Sequence, residues 1–171
     1  MRIAHAADAQ PPELEPRFTC DGFVTNEPGV PLAVFMADCL PVLLHDPIAG
    51  VIGAVHCGWR GSVADILGAA VAQMCALGAH PADIRAAIGP GIGACCFEVG
   101  PEVVSAAEAL LHAPLGALAR PRADGKVLLD LKGVNARRLV QLGVPAGQIA
   151  VSDACTMCRP DVFWSHLSLI H

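Results

Sequence analysis

Two apolar runs, PVLLH at 41–45 and VIGAVHC at 51–57, flank the turn residues Asp46, Pro47, Ala49 and Gly50. Runs of this length rich in Val, Ile and Leu, punctuated by Asp-Pro and Gly, read as two strands of a sheet. A hairpin-like return brings the start of the first run beside the end of the second. Cys39 precedes the first run, and His56 lies at the end of the second within His-Cys-Gly-Trp-Arg-Gly. The pairing therefore predicts that a thiol, an imidazole, an indole and a guanidinium share one edge of the sheet.

The rest of the chain alternates in kind. Residues 6–17 are rich in Ala, Pro and Glu and read as a loop. The segment VPLAVFM, 30–36, reads as a further buried strand, joined to 41–45 through Ala37, Asp38, Cys39 and Leu40. Ser62, with Asp65 three positions on, reads as a helix N-cap in a variant capping box. The helix then runs to Leu77, with Ile66, Leu67, Ala70, Val71, Met74 and Leu77 on one face and Gly78 closing it. A strand at 83–88 precedes a Gly- and Cys-rich loop at 89–100. Pro101 suits the first turn of a helix through Leu111. A loop at 112–125, a strand at 126–129, a helix at 131–142 between Asp130 and Gly143, and a strand at 148–152 complete the pattern. Strands and helices mix without a regular βαβ rhythm. This predicts an α+β fold, with mixed sheets and flanking helices in one domain over 1–171.

Composition narrows the partners. The formal net charge is −5 and no basic run stands out, which argues against nucleic acid. No run of 18 apolar residues marks a membrane helix, although 54% of the residues are hydrophobic. The N-terminus lacks a charged region followed by an apolar one, so no secretory signal is read and a cytoplasmic location is expected. In that compartment the eight cysteines are core thiols, metal ligands or reactive groups rather than a disulfide framework.

Cys39 and His56 suit zinc, which accepts both sulfur and nitrogen, yet either residue alone also reads as an ordinary core side chain. His5 and His45 are the nearest further imidazoles, with His45 expected at the surface. Arg60 offers a fork matched to phosphate or carboxylate, and Trp59 beside it can stack on a planar ligand. The run Gly89-Pro90-Gly91-Ile92-Gly93 does not fit a dinucleotide fingerprint and reads as the rim of a site. Glu98 beside Phe97 is a general acid or base if buried and a solvated carboxylate otherwise. Cys155-Thr156-Met157-Cys158 is a lone CxxC, without a second pair or a following helix, and reads as a packing or loop element.

The series MADCLPVLLHDP, GVIGAVHCGWRG, IGPGIGACCFEVGPEV, LDLKGVNARRL and CTMCRPDVFWSH closely resembles the laccase-domain family, also called YfiH-like or polyphenol-oxidase-like. The resemblance spans residues 20 to 166 and implies a zinc site of two histidines and one cysteine. Cys39 falls in the ADC motif and His56 in the HxGWRG motif. His5, 34 positions before Cys39, falls where the family carries its first histidine, although the flanking residues differ. Compared with the family, the chain is expected to be shortened at both ends.

The same resemblance implies a zinc-dependent purine nucleoside phosphorylase with adenosine deaminase activity. Three ligands leave zinc an open position, where bound water would ionise near neutral pH and attack the purine C6, or where the metal would orient phosphate and ribose. Arg60 is then expected to bind phosphate, Asp38 to orient a ligand or move a proton, and Trp59 and Phe97 to form the pocket wall. Cys96 and Glu98 are expected on an opposing loop in contact with substrate. The implied partners are a purine nucleoside and phosphate, with a homodimer possible and no nucleic acid or membrane. Alternatives are a zinc amidase acting on cell-wall precursors, a copper-dependent phenol oxidase using Met36, and a non-catalytic zinc-binding remnant. The oxidase reading is weak because a multicopper enzyme needs more than the seven histidines present.

Overall fold

The computed structural model describes residues 3–5 and 20–169. The loop expected at 6–17 lies outside the described residues. Strands β1 (Ile3–His5), β2 (Gly22–Thr25), β3 (Leu40–Asp46), β4 (Val51–Cys57), β5 (Arg85–Ile88) and β9 (Ile149–Val151) form a six-stranded mixed sheet, ordered β1-β2-β4-β3-β5-β9. Strands β6 (Glu98–Val99), β7 (Ala119–Pro121) and β8 (Val127–Leu129) form a three-stranded sheet ordered β6-β8-β7. Helices α1 (Trp59–Val63), α2 (Ile66–Ala76), α3 (Pro101–Leu111) and α4 (Leu131–Gln141) pack between and beside them. The fold is mixed α+β, and no described helix is long and apolar enough to cross a membrane.

The β3–β4 hairpin forms the centre. Its antiparallel register sets Leu40 opposite Cys57 and Asp46 opposite Val51. Leu40, Val42 and Leu44 point inward against Ile66, Leu67, Ala70 and Met74 of α2. Burying each large aliphatic side chain contributes about 1.5–3 kcal/mol. The opposite face of β3 is open: Leu43 and His45 are exposed, so the strand alternates rather than being buried on both faces. At the hairpin turn, the buried Asp46 carboxylate accepts N–H bonds from Ile48, Ala49 and His80 at 2.8–3.0 Å.

The Ala49 N–H, aided by those of His80 and Ile48, holds the Asp46 carboxyl below its usual range against the opposing effect of burial. A lowered folded-state pKa adds stability that is present above the unfolded value and lost as pH falls through the folded one. Asp46→Ala should destabilise the fold by about 2 kcal/mol near neutral pH. The difference from wild type should shrink below about pH 4, where the carboxyl protonates in the unfolded chain. Urea unfolding at pH 7 and pH 3 checks both statements.

Four expectations of local structure are corrected. Residues 30–36 form no strand. Both edges of β3 are taken, by β4 and β5, so this apolar segment has no ladder to join there. Burial still alternates along it, with Phe35 92% exposed. Ser62 is not an N-cap: it sits inside α1, buried, and accepts a hydrogen bond from Asn135 Nδ2 at 3.0 Å. The cap of the following helix is Asp65, whose Oδ1 accepts the Gly68 N–H at 3.2 Å. Asp65 also pairs with Arg138 through two guanidinium nitrogens at 2.8 and 2.6 Å, fastening α2 to α4. The loops at 89–100 and 112–125 contain β6 and β7 respectively. Asp130 caps α4 as expected, accepting the Gly133 N–H at 2.9 Å.

Candidate active site

The hairpin register carries Cys39 and His56 to one end of the sheet, where α1 begins. Pro41 faces His56, so Cys39, two residues earlier, lies over Gly58. A Cβ at Gly58 would stand 3.0 Å from Cys39 Sγ and 3.8 Å from His56 Cε1. Glycine is thus required here by close approach: the thiol and the imidazole converge above its backbone. His56 is held from behind by Asp21, whose carbonyl accepts the His56 N–H at 2.7 Å and whose Oδ1 lies 3.5 Å from Nδ1. A carboxylate behind Nδ1 leaves Nε2 as the ring's free donor atom, an arrangement common behind metal-bound histidines. Burial, and then the adjacent Asp38 carboxylate, push the Cys39 thiol up. Without a metal it is therefore a thiol, not a ready nucleophile.

Two cavities meet at this point. One, of about 460 Å³, is lined by Asp21, Cys39, His56, Trp59 and Arg60. The Arg60 guanidinium stacks over the Trp59 ring, 4.4 Å from its centroid. The other, of about 240 Å³, is walled mainly by apolar groups: Trp59, Ile92, Phe97, Leu131 and Leu167, with His166 at its edge. Cys39 and Trp59 belong to both linings. A space bearing Arg60 and His56 and a space walled mainly by apolar groups therefore adjoin at Cys39 and Trp59.

Asp38 supports that junction. It has a φ of 77° and is only 5% exposed. Its Oδ1 accepts the Thr156 hydroxyl at 2.6 Å, and its Oδ2 accepts the Ser165 hydroxyl at 3.0 Å and the Leu167 N–H at 2.8 Å. Its carbonyl also accepts the Ile92 N–H at 2.8 Å. One carboxylate thus ties three segments together around Cys39.

The remaining candidates lie elsewhere. Glu98 lines neither cavity; it pairs with Lys126 and, at 3.2 Å, with Arg122. Its side chain is exposed, which matches the solvated-carboxylate alternative. Phe97 lines the apolar cavity, whereas Glu98 opens strand β6 with an exposed side chain beside Lys126 and Arg122. Cys96 likewise leaves the cavities, with its sulfur 3.4 Å from Cys158 Sγ. Cys155 and Cys158 lie at a turn, as the packing or loop reading expects, and their sulfurs gather with those of Cys95 and Cys96. The His5 backbone pairs with Val24, three residues along β2 from Asp21, and its side chain lies outside the described residues. Asp21, His166 and Leu167 were not legible as site residues, whereas Ile92 lies in the Gly89–Gly93 run read as the rim of a site. Of the first three, only Asp21 carried a signal: a carboxylate just ahead of a strand, able to back a histidine.

Comparison with known proteins gives the family and the fold. The family described as multi-copper polyphenol oxidoreductase laccase matches residues 1–169. A purine nucleoside phosphorylase of Deinococcus radiodurans is 47% identical over 136 residues, covering 80% of this chain and 51% of that protein. Adenosine deaminase RL5, from an unknown prokaryotic organism, is 41% identical over 145 residues, covering 85% of this chain and 55% of that protein. The crystal structure of YlmD from Geobacillus stearothermophilus matches with a TM-score of 0.81 at 41% identity, over 86% of this chain and 55% of that one. The chain spans about half the length of the curated relatives it matches. By sequence and by fold, it belongs to the multi-copper polyphenol oxidoreductase laccase family.

Proposed function

We propose that the chain carries the site of a zinc-dependent purine nucleoside phosphorylase that also deaminates adenosine. The observation that supports this best is the sharing of Cys39 between two cavities, one bearing Arg60 and His56 and the other apolar. A nucleoside and phosphate make the same demands: an anion on one side, a flat apolar base on the other, and a reacting centre between. Relatives named purine nucleoside phosphorylase and adenosine deaminase add weight to the reading. A cytoplasmic location belongs to the same proposal.

The donor set fits the metal. Cys39 and His56 converge over Gly58, and Asp21 backs the imidazole. Sulfur and nitrogen together suit zinc. These two residues would hold it, with His5 proposed as the third ligand from the family resemblance. When bound, zinc supplies Lewis acidity and lowers the pKa of water. Around it, Arg60 grips phosphate with a fork that Trp59 keeps flat and oriented. Trp59 and Phe97 enclose the purine and exclude water from it. Asp38 does not move a proton in this reading; with three donors on its two oxygens, it fixes the Cys39 loop.

Arg60→Ala separates the two activities. Losing a charge-assisted contact worth about 1.5–3 kcal/mol should raise the KM for phosphate roughly 10- to 100-fold. Deamination of adenosine, which needs no phosphate, should change far less. Chromatography of adenine and inosine formed from adenosine, with and without phosphate, reads both. An unchanged phosphate KM would remove Arg60 from the anion site. The absence of any purine product from zinc-loaded protein would overturn the proposal.

A further inference from the structure

We propose that Cys95, Cys96, Cys155 and Cys158 form a second metal site, a closed tetrathiolate that takes zinc and clamps two distant segments beside the Cys39 loop. The four sulfurs all lie within 4.8 Å of one another. Cys158 Sγ is 3.6 Å from Cys95 Sγ and 3.4 Å from Cys96 Sγ. A zinc–sulfur distance of about 2.3 Å makes the edge of a tetrahedral sulfur cage about 3.8 Å, so the thiols already stand near ligand spacing. All four cysteines are free thiols. An iron–sulfur cluster would place its own iron and sulfide between the thiolates and spread them apart.

The surroundings suit bound thiolates. The Gly93 N–H donates to Cys155 Sγ at 3.2 Å, and the Cys158 N–H also reaches that sulfur. A Cβ at Gly93 would stand 3.1 Å from Cys155 Cβ and 3.3 Å from Cys95 Sγ, so glycine lets the backbone close over the cage. Four thiolates around a divalent cation leave a net charge of −2. Lys132 sits within electrostatic reach of Cys155 and Cys95, with Nζ donating to the Ser152 and Ala154 carbonyls at 2.9 and 2.7 Å. Its ammonium offsets part of that charge. Binding transfers the thiol protons to solvent.

The site's position gives it a task. Cys95 and Cys96 directly precede Phe97, a wall of the apolar cavity. Cys155 forms a bridge to Gly91, and Thr156 donates to Asp38. Four protein ligands leave no open coordination position, so this ion is structural.

The test uses the full chain carrying Cys39→Ser and His56→Ala, so that its outcome does not depend on the proposed catalytic zinc. Reduced and stripped of metal, this protein should take up one equivalent of zinc, and its melting temperature should rise on binding. With cobalt(II) it should show the intense thiolate-to-metal absorption of four Co–S bonds. Adding Cys96→Ser and Cys158→Ser should abolish the uptake, the absorption and the thermal shift. Circular dichroism confirms that both proteins fold. No uptake by the folded parent, an absorption corresponding to fewer than four thiolates, or undiminished uptake after the added serines would overturn the site.

Discussion

Replacing Cys39 with alanine should lower nucleoside turnover about 10³-fold or more, because a metal's stabilisation of developing charge is worth several kcal/mol and each 1.36 kcal/mol is tenfold in rate. The effect should exceed that of Asp21→Ala, which leaves both proposed ligands in place and removes only the carboxylate behind His56. Loss of such a supporting group weakens metal affinity about 10- to 100-fold, and added zinc should recover part of the rate. For Cys39→Ala, added zinc should recover nothing. Cys39 is half-buried beneath a glycine whose backbone leaves room for its sulfur, so the alanine variant should stay folded. Zinc titrations on both variants, read beside turnover and a thermal melt, check this ordering. Equal loss in the two variants, or zinc rescue of Cys39→Ala, would show that the sulfur does not hold the metal.

The sequence made the hairpin readable because two apolar runs and an Asp-Pro…Gly turn admit little else, and the hairpin alone brings Cys39 to His56. Local signals also marked the Asp130 cap and the Pro101 helix start. What failed was anything decided by partners far along the chain. Residues 30–36 carry strand-like apolar content, but a strand needs a free neighbour, and β5 already occupies the outer edge of β3. The cysteine cage was hidden for the same reason. Cys95 and Cys158 are 63 positions apart, and each pair by itself is a weak motif. The bridge between Gly91 and Cys155 and the Gly93 N–H bond to Cys155 Sγ draw them together. Glu98 shows the finer limit: its segment reads as a loop, yet Glu98 and Val99 pair with β8, and that pairing leaves Glu98 exposed beside the buried Val99.

Asp38→Ala should destabilise the protein by about 3 kcal/mol or more, since three donors lose their acceptor and two of them, the hydroxyls of Thr156 and Ser165, are buried. For a chain of this size that corresponds to a fall in melting temperature of roughly 6–12 °C. Backbone conformation sharpens the test. At a φ of 77° alanine is strained, glycine is not, and asparagine tolerates the left-handed region better than most residues. Asp38→Gly should therefore lose the hydrogen bonds without the strain and fall between alanine and wild type. Asp38→Asn keeps one carbonyl oxygen as acceptor and should be the mildest of the three. A proton carrier would give a different order: asparagine, which cannot take up the proton, would abolish turnover while leaving the melting temperature nearly intact. Turnover that tracks melting temperature across the three variants identifies Asp38 as the residue that holds the Cys39 loop in place. Turnover lost in Asp38→Asn at full stability would return it to the chemistry.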